Sequence, residues 1–232
     1  MRKHRIFFGI FCVIFFLISF LFLLYQKPKN EKISEQLPPS EEKENEQYRV
    51  EEMKDSILSE EKQEREFVSP LNNPQERINK KPFGIWVDSQ NSPIFPERFL
   101  GYHTGVDFEI FPGEENEDVE VRALCSGEIF FLEGVNGYGG VMLQRCFYEE
   151  QPIIVLYGHI DKDRALFSLG DRVEVGMKLG FLGKGNSKET DGERKHLHLG
   201  VIKGDKENFL GYVRSEALLD NWIDPCDLIC FL

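Results

Sequence analysis

Four of the five histidines fall into three short segments: His103-Thr104-Gly105-Val106-Asp107, Tyr157-Gly158-His159 and His196-Leu197-His198. Imidazole and carboxylate are groups that Zn²⁺ takes at catalytic sites, three from the protein with a water in the fourth position. A His four residues before an Asp, a distant His and a His-x-His pair offer more of them than one ion needs. Three could ligate, leaving two imidazoles beside the bound water as general base and transition-state donor. Zinc lowers the pKa of that water to about 7 and polarises a carbonyl, so a nucleophile exists near neutral pH. Each histidine alone reads better as an ordinary core or surface residue. The three segments together, with only His4 left over in a basic N-terminal tip, favour hydrolytic metal chemistry.

Such groups must be aimed, and the surrounding pattern is that of strands. Short runs such as Gly127-Glu128-Ile129-Phe130-Phe131-Leu132 and Pro152-Ile153-Ile154-Val155-Leu156-Tyr157 lie between Gly, Asn, Asp and Pro turns. No long helical period occurs between Pro82 and Asp205, so the fold class is mainly β. On a strand, residues two apart share a face. His196 and His198 then point together while Leu197 and Leu199 enter the core. His103, Gly105 and Asp107 share a face likewise, with Gly105 expected to leave room for a metal and its water. Val121–Leu132 and Val141–Cys146 read as two strands around a glycine turn, placing Cys125 nearly opposite Cys146. A cross-strand disulfide and two buried thiols both fit. Cys226 and Cys230 have no second cysteine pair with zinc-finger spacing, which argues against a structural zinc.

The N-terminal part has a different character. After a basic tip, residues 1–5, the stretch 6–25 is almost unbroken in apolar residues, and about twenty such residues cross a bilayer core of roughly 30 Å as a helix. It is longer than a secretory signal's apolar region and lacks a small-residue cleavage site. A single-pass transmembrane signal anchor is expected, with Arg2, Lys3 and Arg5 cytoplasmic and the rest extracytoplasmic. Residues 26–80 carry charge runs such as Glu60-Glu61-Lys62-Gln63-Glu64-Arg65-Glu66, punctuated by Pro38, Pro39, Pro70 and Pro74. That composition buries too little apolar surface to offset ordering entropy, so a disordered tether is expected there. The folded domain is then 81–232, a common domain size. The chain has a formal net charge of −12, most of it in the domain, which argues against a nucleic-acid partner.

Gly101-Tyr102-His103-Thr104-Gly105-Val106-Asp107 resembles the first metal motif of the lysostaphin/LytM-type zinc endopeptidases. Tyr157-Gly158-His159-Ile160 is similar to their central segment and His196-Leu197-His198-Leu199 to their closing strand. Gly137-Tyr138-Gly139-Gly140, Gly170-Asp171-Arg172-Val173 and Ile223-Asp224-Pro225 agree as well, and the likeness covers a core of about 99–225. The resemblance implies an antiparallel β-sheet, barrel-like sandwich of the duplicated hybrid motif type, with a narrow groove. It makes His103, Asp107 and His198 the ligands of one Zn²⁺ per domain, and His159 and His196 the catalytic pair. It implies hydrolysis of peptide bonds in peptidoglycan cross-bridges or stem peptides during cell-wall remodelling. The chain departs from the pattern before the His-x-His pair, where members often carry small residues or proline and Lys188–Lys195 is charged. That stretch is expected to wall the groove, where Arg194 and Lys195 either offer positive charge to an anionic substrate or belong to a solvated loop of no consequence. Two other functions use the same fold. One is a catalytically silent wall-binding or hydrolase-activating domain, which would lack a ligand. The other is a zinc peptidase acting on secreted proteins, which substrate profiling separates. A regulatory partner leaves no signature in the sequence.

Overall fold

The apolar run Ile153-Ile154-Val155-Leu156-Tyr157 is continuous because the strand it forms is buried on both faces. Ile153, Val155 and Tyr157 enter one apolar cluster, and Ile154 and Leu156 enter another on the opposite side. The computed structural model describes residues 66–230. The tip at 1–5, the apolar stretch 6–25 and the tether up to residue 65 lie outside the described residues. Among the described residues, no helix is long and apolar enough to cross a membrane.

In chain order the strands are β1 (Trp86–Val87), β2 (Gly101–His103), β3 (Gly105–Glu109), β4 (Glu120–Arg122), β5 (Gly127–Val135) and β6 (Gly139–Tyr148). They continue with β7 (Gln151–Gly158), β8 (Arg172–Val173), β9 (Lys178–Phe181), β10 (His196–Lys203), β11 (Tyr212–Val213) and β12 (Trp222–Ile223). Two short helices, α1 (Pro74–Arg77) and α2 (Pro225–Ile229), flank them. The largest sheet has the order β12-β10-β7-β6-β5-β8, with β3 on β10 as well. Strand β10 pairs with β7 along one edge, and with β3 and then β12 along the other, all antiparallel. Two small sheets, β1-β2-β11 and β4-β9, complete a mainly antiparallel β fold.

The run Val121–Leu132 is two strands in different sheets, where the sequence reads as one. Between them the backbone finds partners elsewhere: Leu124 N–H donates to the Tyr157 hydroxyl, and Gln144 Nε2 donates to Cys125 O. Val68 N–H takes Leu124 O. Cys125 still lies at the mouth of the β5–β6 hairpin, and it is disulfide-bonded to Cys146. Cys226 and Cys230 form a second disulfide.

The packed domain begins earlier than residue 81. Phe67 and Leu71 belong to the larger apolar cluster. Arg77 is 1% exposed, held by Asn72 O, Glu109 O and the Glu114 carboxylate, with its guanidinium over Phe111. Prolines and charges disguise this segment as tether, yet Phe67 and Leu71 are buried and Arg77 is neutralised by Glu114.

Candidate metal centre

Alternation along two paired strands builds the site. In β10, Leu197, Leu199 and Val201 enter the larger core, leaving His196, His198 and Gly200 on the other face. In β3, Val106 and Phe108 do the same and leave Gly105, Asp107 and Glu109. The register sets His198 opposite Asp107 and His196 opposite Glu109, while on its other edge His198 faces Gly158. His103 ends β2, and His159 follows β7 with φ at +62°, a left-handed conformation that histidine adopts more readily than most side chains. Gly105 is required by close packing. A Cβ there would lie 2.3 Å from Leu199 O and 2.9 Å from His198 Nε2. Its lack of a side chain thus admits the neighbouring strand and a ligand ring, which corrects the expectation that it leaves space for the ion. At Gly158 a Cβ would meet the Tyr138 ring at 2.5 Å.

Three ligand atoms converge. His103 Nε2 lies 3.0 Å from His198 Nδ1 and 3.3 Å from Asp107 Oδ1, and His198 Nδ1 lies 3.2 Å from the same oxygen. Donors at about 2.0–2.1 Å from a tetrahedral ion stand roughly 3.3–3.4 Å apart, so this triangle has the size zinc needs. His103, Asp107 and His198 are the metal-capable group found among the described residues. Their surroundings fix the rings. His103 Nδ1 is 3.2 Å from the Pro82 carbonyl, which only accepts, so Nδ1 carries the proton and Nε2 is free to ligate. The Tyr138 hydroxyl is 3.4 Å from His198 Nε2. His159 and His196 stand beside this triangle with ring centroids 4.3 Å apart. His196 donates Nδ1–H to Arg194 O at 2.8 Å, and its Nε2 stands 3.4 Å from Asp107 Oδ2. His159 Nδ1 is buried with no hydrogen-bond partner.

Residues 101–209 match Peptidase family M23, a span that takes in all five of these side chains. Over this span the chain is similar to the M23 peptidases. An uncharacterized protein of Mycobacterium tuberculosis is 31% identical over 121 residues, which are 52% of this chain and 25% of that protein. Endolysin 2638A of Staphylococcus phage 2638A is 29% identical over 120 residues, 51% of this chain and 23% of the endolysin. The match thus spans about a quarter of the length of these curated relatives. Among solved structures, the catalytic domain of the antimicrobial peptidase lysostaphin from Staphylococcus simulans is 21% identical. It aligns over 67% of this chain and 96% of that one, with a TM-score of 0.44. LytU is 22% identical over 65% of this chain and 82% of its own, with a TM-score of 0.44.

Burial decides the charge state of two imidazoles in the site. It pushes His198 down to about 4 and, helped by the neighbouring His196, holds His159 well below the usual histidine value. Both are neutral at pH 7, the form that ligates a metal or accepts a proton. Burial opposes a charge on Asp107, but His196 and His103 outweigh it and keep the carboxyl well below its ordinary value. Burial, then the charge of Asp107, pushes the phenols of Tyr138 and Tyr212 up, so both remain hydroxyl donors.

The side chains face a cleft of about 390 Å³ walled by Phe99, Tyr138, Arg194, Phe209 and Tyr212. Tyr212 stacks on His103 at 5.0 Å and on Phe99 at 4.9 Å. Its hydroxyl accepts from Lys81, whose other partner is the buried carboxylate of Glu97 at 2.6 Å. The stretch 188–195 does border the site, but its two cations nearest His196 have partners within the protein. Arg98 binds Asp191 and Glu193, and Arg194 binds Asp107 and Glu109. Lys195 Nζ donates to the carbonyls of Glu114 and Glu117. The two cations expected to greet an anionic substrate are therefore committed within the protein. Tyr212 and the Lys81–Glu97 pair escaped the sequence reading, because nothing near them in the chain marks them. Tyr138 was visible only as part of a glycine turn.

Proposed function

We propose that this chain is a zinc metalloendopeptidase that cleaves peptide bonds in peptidoglycan cross-bridges or stem peptides. Residues 6–25 would hold it at the membrane with the M23 domain extracytoplasmic. The observation that carries the reading is the 3.0–3.3 Å triangle of His103 Nε2, Asp107 Oδ1 and His198 Nδ1, with two further imidazoles beside it. These three residues would hold one zinc ion, which when bound supplies Lewis acidity to the scissile carbonyl and to water.

The rest of the chemistry belongs to the protein. His196, with its proton fixed on Nδ1, accepts a proton from the attacking water at Nε2. His159, neutral and buried, donates its N–H to the carbonyl oxygen as negative charge develops there. The proton on His196 then passes to the leaving amine as the C–N bond breaks. Phe99, Tyr138 and Tyr212 wall the cleft and restrict water around the reacting amide. The full set of five side chains does not favour the silent-domain alternative.

The test is incubation of the purified protein with muropeptides of different cross-link chemistry, with products read by mass spectrometry before and after chelation. Chelator-sensitive cleavage of one cross-link class is expected. No cleavage of any class, together with cleavage of unrelated secreted proteins, would overturn the substrate assignment.

A further inference from the structure

We infer that Arg194 is a positioning residue for both halves of this site: its guanidinium fixes Asp107 as a one-oxygen ligand, and its carbonyl sets the tautomer of His196. The inference rests on the zinc reading above. The two oxygens of Asp107 have separate neighbours. Oδ1 faces His103 Nε2 and His198 Nδ1, whereas Oδ2 accepts from Arg194 Nη2 at 2.8 Å. A carboxylate whose second oxygen is held this way cannot swing to offer that oxygen to the ion.

Arg194 is clamped in turn. Its Nε donates to both oxygens of Glu109 at 3.0 Å, and its Nη2 donates to Glu109 Oε1 as well. Glu109 lies two residues beyond Asp107 on the same face of β3, and Lys80 Nζ approaches it at 3.1 Å. Without the guanidinium, two buried carboxylates would face each other across one strand face, with side chains 2% and 7% exposed. The main chain of the same residue accepts the Nδ1–H of His196 at 2.8 Å. The side-chain clamp thus holds a ligand directly and steadies the backbone that orients the proposed base.

Zinc dissociation constants measured by chelator competition, together with Co²⁺ absorption spectra, test this on the full chain. The proteins are the parent, Arg194→Met, Arg194→Lys and Glu109→Gln, each checked for folding by circular dichroism. Arg194→Met should weaken zinc binding by about 10–100-fold, the usual cost of losing such a partner, and shift the Co²⁺ bands. Arg194→Lys keeps the charge but cannot span both carboxylates, so it should recover only part. Should Arg194→Met fail to fold, weakened binding in Arg194→Lys and Glu109→Gln supports the inference, and parent-like binding in both overturns it. Parent-like affinity and spectrum in a folded Arg194→Met overturn it alone. A parent protein that binds no zinc overturns the metal-centre reading itself.

Discussion

His159 and His196 stand side by side yet are held differently, and that difference separates chemistry from metal binding. His196 is tied through Nδ1 to a backbone carbonyl, whereas His159 Nδ1 has no partner. Neither belongs to the 3.0–3.3 Å triangle. His159→Ala should therefore keep its zinc, by metal analysis, while kcat falls roughly 10²–10⁴-fold, the range for a lost acid–base group. Joint loss of zinc and activity would make His159 a ligand. Asp107→Ala should by contrast lose the metal. The metal-free protein should also be acid-sensitive in a defined window. The folded value of His198, about 4, lies below an unfolded value near 6.5. Between those pH values the unfolded chain binds more protons, so stability falls as pH drops. His159 acts in the same direction, and Asp107 continues it below the ordinary carboxylate range. Melting of chelated protein from pH 7 to pH 4 should show the decline, and a flat profile would refute the assignment. At this scale the five site side chains were legible from residue type and spacing. The inward turn of Arg194 and Lys195 was not, because a charge in a sequence does not reveal which acceptor the fold brings to it.

The strands carry the site through register, so their closest contacts are the sensitive points. Gly105 lies opposite Gly200, and any Cβ on it runs into Leu199 O and the His198 ring. Gly105→Ala should force β3 and β10 apart where Asp107 and His198 face each other. It should therefore weaken zinc binding and lower the melting temperature together. A variant with parent-like affinity and melting would show that the strands can part without cost. The hairpin β5–β6 offers the opposite case, since its disulfide lies away from the cleft. Cys125–Cys146 closes a sequence separation of 21 residues, which corresponds to about 3 kcal/mol. The double change Cys125→Ala/Cys146→Ala should cost roughly that in denaturant unfolding and leave zinc affinity unchanged. Strand identity was readable from the short apolar run in β7, and facing from the alternation in β10. The break between β4 and β5 was not, because its cause lies in partners distant in sequence, Val68, Gln144 and Tyr157.

At the level of the molecule, the decisive boundary is where tether becomes domain. Charge runs and prolines favour residue 81, but Phe67 and Leu71 lie in the larger core. Val68 N–H also donates to Leu124 O, and Arg122 N–H to Pro70 O. Burying each of the two apolar side chains stabilises by about 1.5–3 kcal/mol, and loss of Arg77 would strip Glu114 of both its hydrogen bonds from the guanidinium. A fragment beginning at Pro82 should accordingly melt well below one beginning at Glu66, by about 2–4 °C for each kcal/mol lost. Equal melting would return the boundary to residue 81. The same packing sharpens a test of the proposed membrane anchor. Protease added to intact cells or wall-stripped protoplasts should release the domain by cutting upstream of Phe67, within 26–65, where the composition offers little apolar surface to bury. It should spare Phe67–Lys80, whose backbone is engaged with the core. A domain protected from protease, or a mature protein already lacking residues 1–25, would refute the anchor. Preferred cutting between Phe67 and Lys80 would leave the anchor standing and refute the boundary.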